Sequence, residues 1–253
     1  MNDVVTSIDG YVAILTICRP PTNFFDPGLL AALPDAATNL HWSDGCRALV
    51  LRSEGKHFCA GADFSAEDAA DRTMKSIKLY RSAVRLFRLP IPLIAAVQGA
   101  AVGGGLGLAC AADFRVASDS SRFHANFVQL GFHPGFGLSE SLPAIVGQQA
   151  ALDLLYSGRR IGGIEAHVMG LVDRLTTSKT ITSTAIAWAH ELASAAPLAV
   201  EAVKATLRGP LADKLQRSVE HELTEQTLLW QTEDCQRGIA ASLNRQSATF
   251  IRQ

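Results

Sequence analysis

An α/β fold is predicted for this 253-residue chain. Short apolar runs alternate with helical patterns through its first half, the order that builds parallel sheets. Two glycine-rich segments, Gly55–Phe64 (GKHFCAGADF) and Gly99–Asp113 (GAAVGGGLGLACAAD), each follow such a run. Beyond about Ser120 the pattern turns helical.

The elements follow in order. Tyr11–Cys18 (YVAILTIC) reads as a strand behind an Asp9–Gly10 turn, with Val4–Ile8 as its hairpin partner. The prolines of Arg19–Asn23 (RPPTN) break it. Asp26 is a helix N-cap and Pro27 suits the first helical position, which predicts a helix over Asp26–Asn39 with Pro34 as a weak point. Ala48–Arg52 is a second buried strand. Ser65–Leu89 carries a helical apolar face of Ala70, Met74, Ile77, Tyr80, Val84 and Phe87, and Pro90 and Pro92 end it. Leu93–Val97 and Phe114–Ala117 are strands flanking a short uncharged helix over Gly103–Ala111. Helices are then predicted over Leu138–Ile145, Gln148–Tyr156, Ile164–Met169, Ile181–Leu192, Leu198–Arg208 and Leu211–Trp230, the last two parted at Gly209–Pro210.

Composition narrows the function classes. Hydrophobic residues make up 48% and charged residues 19%, enough for a sizeable core. A formal charge of −1 supplies no basic field for nucleic acid or an acidic membrane surface. The cysteines Cys18, Cys46, Cys59, Cys110 and Cys235 show no CxxC spacing and are expected as free thiols in a reducing compartment, with a reactive Cys59 the sharper alternative. No His, Cys, Asp or Glu set has metal spacing, so no metal is expected. MNDVVTSIDG lacks the features of a signal peptide, and no apolar run reaches the ~20 residues of a membrane span, which predicts a soluble cytoplasmic protein.

The chemistry resides in the glycine segments. Their small residues let a ligand approach backbone amides, and two N–H groups aimed at one point can hold an oxyanion. Tight strand–helix packing is the bland alternative. A dinucleotide turn needs G-x-G-x-x-G, whose last position falls on Leu108 counting from Gly103 and on Cys110 from Gly105.

The order strand–GKHFCAGAD–long helix, then PLIAAVQGAAVGGGLGLACAADFRVAS, with YSGRRIGGIEAHVMGLVDRL beyond, resembles the crotonase (enoyl-CoA hydratase/isomerase) superfamily over nearly the whole chain. The resemblance implies a β-spiral core with intervening helices over residues 1–196 and a helical trimerisation region over 197–253, hence a homotrimer or a dimer of trimers. It implies an acyl-CoA thioester as substrate, with CoA part of the substrate and no separate cofactor. It places the thioester oxygen between the amides of Ala60 and Gly104, with Gly105 supporting that approach. Gly61, Ala62 and Asp63 then approach the CoA adenine, and Pro21 and Thr22 border the CoA chain.

The chain also departs from the family. The two glutamates of hydratases fall on Gly107 and Phe127, and a carboxylate used by some isomerases and hydrolases falls on Gly135. Water addition needs an acid and a base within hydrogen-bond reach, so a simple hydratase is disfavoured. The segment Phe123–Pro143 supplies His133 instead, expected as the proton carrier, and Phe127, Phe132 and Phe136, expected to narrow the acyl pocket or to pack. The expected activity is that of an acyl-CoA enzyme stabilising a thioester enolate for isomerisation, C–C cleavage or thioester hydrolysis. The alternative is a CoA-binding or RNA-binding member that has lost its chemistry.

Overall fold

A computed structural model describes residues 3–62 and 69–253. The hairpin forms as expected: β1 (Val4–Asp9) and β2 (Val12–Ile17) pair antiparallel with Asp9 opposite Val12. Asp26 caps α1 (Pro27–Asp44) by accepting the Leu29 amide at 2.8 Å. Pro34 does not end this helix; it runs past Asn39 to Gly45, whose left-handed φ of 68° closes it. There follow β3 (Ala48–Ser53), α2 (Ala69–Phe87), β4 (Leu93–Val97), β5 (Ala100–Val102), α3 (Gly104–Ala111), β6 (Phe114–Ser118) and β7 (Arg122–His124). The expected start of the second helix, at Ser65, lies outside the described residues. Its buried face is rotated from the expected one: Leu79, Tyr80, Ala83, Leu86 and Phe87 are buried, whereas Met74 is exposed.

The second half holds α4 (Leu138–Val146), α5 (Gln148–Ser157), β8 (Arg160–Gly162), α6 (Gly163–Val168), β9 (Arg174–Thr176), α7 (Ile181–Ala193), α8 (Pro197–Leu229) and α9 (Glu233–Leu243). A six-stranded sheet runs β1-β2-β3-β4-β6-β9 and a three-stranded one β5-β7-β8. From β2 to β9 every pair in the large sheet is parallel. Strand periodicity divides the core. Leu49, Leu51, Leu93 and Ala95 join the cluster that includes Leu29 and Leu86, while Val50, Ile94 and Val116 pack with Ile181, Ala185 and Trp188 of α7.

The C-terminal helices correct the sequence reading at Gly209–Pro210. Pro210 lies inside one continuous α8. Proline deletes a helical N–H, but the turns on either side are pinned. Lys204 Nζ lies 2.7 Å from both the Ile91 carbonyl and Asp113 Oδ2. Arg208 Nη2 donates to the carbonyls of Cys110, Ala111 and Ala112 at 3.4, 3.2 and 3.2 Å. Beyond Pro210, Ala212, Leu215 and Val219 join the same core as the strands. Among the described residues no helix is long and apolar enough to cross a membrane.

Candidate active site

The site is built where the first glycine segment threads between two neighbours. On one edge, Phe58 and Cys59 donate their amides to Gln98 and Ala100, and Val102 donates to the Cys59 carbonyl at 3.0 Å. On the other edge, Ala60 donates to the Thr22 carbonyl at 2.9 Å and Phe25 donates to the Gly61 carbonyl at 3.0 Å. The Ala60 amide is therefore consumed by the fold. The expectation that it serves as an oxyanion donor is corrected.

Peptide geometry identifies a neighbouring amide that is not consumed in this way. In a trans peptide the C=O and N–H point in opposite directions. The Gly61 carbonyl points to Phe25, so the Ala62 N–H points away from that edge. The Gly103 carbonyl accepts from Leu106 and Gly107 at 3.0 and 3.2 Å, so the Gly104 N–H points off the start of α3. Neither amide has a protein acceptor among the described residues. Gly61 and Gly104 are close neighbours, since a Cβ at 61 would lie 3.3 Å from the Gly104 nitrogen.

Ala62 and Gly104 both line a cavity of about 250 Å³, with Phe24, Gly61, Asn126 and Phe127 also on its wall. They also line a recess of about 30 Å³, shared with Phe127, Phe136, Tyr80 and Gln226. The amide pair thus stands where the two spaces adjoin. Gly105 borders neither space. A Cβ there would lie 2.1 Å from the Cys59 carbonyl oxygen, so its role is to let α3 touch the threaded segment. Pro21 and Thr22 border neither cavity; Thr22 acts through the carbonyl that holds Ala60. Asp63 lies outside the described residues.

The positions expected to lack a proton carrier are filled by neighbours. A Cβ at Gly107 would meet Phe136 Cβ, Cγ and Cδ1 at 2.7 Å. A Cβ at Gly135 would lie 1.9 Å from the Tyr80 hydroxyl. Phe136 is buried at a left-handed φ of 63° and packs 5.6 Å from the Phe25 ring. His133 is not brought to the amide pair. It lines a separate cavity of about 640 Å³ with Pro134, Ser139 and Phe250, and its Nδ1 is bonded to the Pro134 carbonyl at 2.7 Å. It lines neither space beside the amide pair, and its carbonyl accepts from Gln226 Nε2 at 2.8 Å.

The comparisons with known proteins agree with this architecture. The family model described as Enoyl-CoA hydratase/isomerase matches residues 7–253. The chain belongs to that family, the crotonase superfamily. It is 31% identical over 255 residues to a probable enoyl-CoA hydratase of Bacillus subtilis, covering 99% of each chain. It is 29% identical to the 1,2-epoxyphenylacetyl-CoA isomerase of Escherichia coli, covering 99% of this chain and 98% of that one. A crystal structure of an enoyl-CoA hydratase/isomerase from Pseudoalteromonas atlantica superposes with a TM-score of 0.88 at 29% identity, over 99% of this chain and 100% of that one. Relatives with differently named reactions lie at similar identity, so the reaction must be argued from this family member's own side chains.

Those side chains are unusual in charge. Among the described residues lining the two spaces beside the amide pair, Tyr80 is the only titratable one. Its hydroxyl donates to Gln226 Oε1 at 2.5 Å. Burial and then the nearby Glu222 charge push the phenol above its ordinary pKa, opposed by the Phe136 amide. Cys59, the other nucleophile nearby, is buried and pushed up to about 12 by desolvation, which removes it as a reactive thiolate.

Sequence reasoning placed Ala62 at the CoA adenine rather than beside Gly104, and missed Tyr80, Gln226 and Glu222 as site residues. Tyr80 had been read as one member of a helical apolar stripe, and the last two lie in a helix with no motif. Glu222 is fully buried on α8 and accepts from the amides of Gly137 and Ser139 at 2.8 and 3.0 Å, and from the Ser139 hydroxyl at 2.5 Å. These bonds clamp the turn that presents Phe136 to Gly107. Burial raises the Glu222 carboxyl from 4.5 to about 7, against the three donors that lower it.

Two tests follow from this geometry. A raised native pKa makes the protonated form the stabilising one, so the contribution is full below about pH 4.5 and lost as pH rises through about 7. Urea unfolding from pH 4.5 to 8 should show a loss on the order of 3 kcal/mol in the native protein that is absent in Glu222→Gln. Parallel profiles would refute the assignment. Gly105→Ala forces a methyl against the backbone of Cys59 and should lower stability by roughly 2–4 kcal/mol, read from the same unfolding curves. An unchanged midpoint would show that α3 can retreat at no cost.

Proposed function

We propose that this protein is an acyl-CoA enzyme that holds a thioester carbonyl between the amides of Ala62 and Gly104 and stabilises the enolate derived from it. The observation that carries this reading is the pair of acceptor-free amides at one cavity boundary. When a thioester loses an α-substituent as a cation, charge moves onto its oxygen. Fixed donors stabilise that charge without reorganising, and each is worth about 3–4 kcal/mol. CoA occupies the larger cavity as part of the substrate, and the acyl group points into the recess.

Hydration by a glutamate pair is not part of this reading. Phe136 fills the space beside Gly107, Phe127 is buried, and Tyr80 occupies the space beside Gly135. No carboxylate among the described residues lines either space. With His133 elsewhere, isomerisation, C–C cleavage and thioester hydrolysis each still need a proton carrier, and none of the described residues lining either space is a carboxylate or an imidazole, so the reading rests on thioester binding and enolate stabilisation. The family resemblance also supports a cytoplasmic homotrimer or dimer of trimers.

Calorimetric titration with CoA, butyryl-CoA and crotonyl-CoA, beside a crotonyl-CoA hydration assay, tests the proposal. Both thioesters should bind more tightly than CoA, and hydration should fall below the ~1–1,000 s⁻¹ range of ordinary enzymes. Hydration within that range would restore the paired acid and base. Thioesters that bind no better than CoA would remove the amide pair from the account.

A further inference from the structure

Arg208, which caps the C-terminal carbonyls of α3, lines a cavity of about 510 Å³, a size typical of small-molecule sites. The cavity lies between the end of α2 and the first half of α8. Phe87, Leu89, Pro90, Leu198 and Ala202 give it apolar walls. Three cations, Arg88, Lys204 and Arg208, share the wall with one carboxylate, Glu201. The amide pair stands at the opposite end of α3, and a helix of 8 residues spans about 12 Å. No residue of this wall lines the two spaces beside Gly104.

The charges on the inner wall do not balance. Lys204 Nζ lies 2.7 Å from Asp113 Oδ2, and Arg208 Nε lies 3.2 Å from Asp113 Oδ1, so one carboxylate serves two cations. Arg115 behind them is matched by Asp173 at 3.0 Å. The end of α3 adds about half a negative charge, which leaves a positive excess. Glu201 is turned toward α1, its Oε1 3.8 Å from His41 Nε2. Arg88 is held at the rim by Asp213 and Gln216, each at 2.8 Å. The side chains of Lys204, Arg208 and Asp113 are only 9%, 19% and 10% exposed, so water screens the excess poorly. Burial pulls Lys204 and Arg208 below their ordinary pKa values, against the attraction of Asp113.

Arg208 keeps one donor free. Its Nη2 is taken by the carbonyls of Cys110, Ala111 and Ala112, and its Nε faces Asp113. Its Nη1 has no acceptor among the described residues and is not a buried atom. The guanidinium stands 5.8 Å from the centre of the Phe87 ring, which also lines the cavity. A charged planar donor thus sits beside an apolar wall. Guanidinium groups pair best with planar anions such as carboxylates.

We propose that this cavity binds an amphipathic carboxylate, its head group on Arg208 Nη1 and its hydrocarbon chain against Phe87, Leu89 and Pro90. The head group supplies the missing counter-charge, and the chain takes apolar wall out of water. An inorganic anion satisfies only the charge, and an uncharged chain satisfies only the walls. Arg88 at the rim adds longer-range attraction. The site is independent of how Ala62 and Gly104 are used.

Calorimetric titration of the full chain with octanoate, butyrate, octan-1-ol and inorganic phosphate tests this. Octanoate should bind one to one, at least about tenfold more tightly than each of the other three. Saturating butyryl-CoA should leave octanoate binding unchanged. Ala205→Trp, at an exposed position on the cavity wall, should abolish octanoate binding and spare that of butyryl-CoA. Arg208→Gln should weaken octanoate about tenfold. Absent octanoate binding, or octan-1-ol or phosphate binding as tightly as octanoate, overturns the proposal. Displacement of octanoate by butyryl-CoA, or octanoate binding that survives in A205W, places the ligand elsewhere and overturns it too. Native affinity in R208Q overturns the assignment to Arg208. If R208Q does not fold, A205W and the octan-1-ol comparison decide. Failure of butyryl-CoA to bind defeats the thioester reading alone.

Discussion

The first turn of α3 presses against the backbone of Cys59, and the candidate site depends on that contact. Only a glycine at 105 allows it, because any side chain would meet the Cys59 carbonyl. The contact brings Gly104 beside Gly61 and hence beside the Ala62 amide. The far end of α3 is held as firmly. Arg208 and Arg115 both donate to the Ala112 carbonyl, and Asp113 anchors the Leu93 amide and Lys204. Positive groups at a helix C-terminus satisfy its orphan carbonyls and oppose its dipole. The uncharged helix between these two ends acts as a fixed spacer.

Around that spacer the chain has exchanged charge for shape. The positions where the family resemblance leads one to expect carboxylates are glycine or phenylalanine here, yet they do not form open holes. Phe136, held at a left-handed φ by the bonds Glu222 makes to the next residues, covers Gly107. Tyr80 covers Gly135. Both replacements are locked by α8, so the C-terminal helix shapes the recess beside the amide pair from within its own chain. A neutral, hydrogen-bonding chamber is a different tool from a pair of carboxylates.

Much of the architecture was legible in the sequence. Strand alternation, the Asp9–Gly10 hairpin, the Asp26–Pro27 helix start and the two glycine segments all rest on local rules that the structure obeys. Pro210 misled because tertiary anchors at Lys204, Arg208 and Leu215 outweigh one missing helical bond. Met74 misled because an amphipathic stripe can be read with more than one rotation when small residues flank it. The Ala60 amide, where the resemblance put an oxyanion donor, is taken up by the fold for a more general reason. Residue size shows where a backbone amide can be approached, but the direction of that amide depends on which edge of the segment is already hydrogen-bonded. That information lies in the pairing with Thr22 and Phe25, far away in sequence. The Tyr80–Gln226 contact spans two helices and left no pattern to read.

The most direct measurement is the stretching frequency of the thioester carbonyl in bound acyl-CoA, taken by infrared difference spectroscopy with a carbonyl-labelled ligand. Two converging amides polarise the carbonyl and should lower its frequency relative to free acyl-CoA in water. Gly104 opens α3, a position where proline fits, so Gly104→Pro deletes one donor while Gly104→Ala controls for the added bulk beside Phe25. The account predicts a downshift in the native protein and in Gly104→Ala, reduced in Gly104→Pro. A bound carbonyl vibrating as it does in water, or a downshift identical in all three proteins, would contradict it.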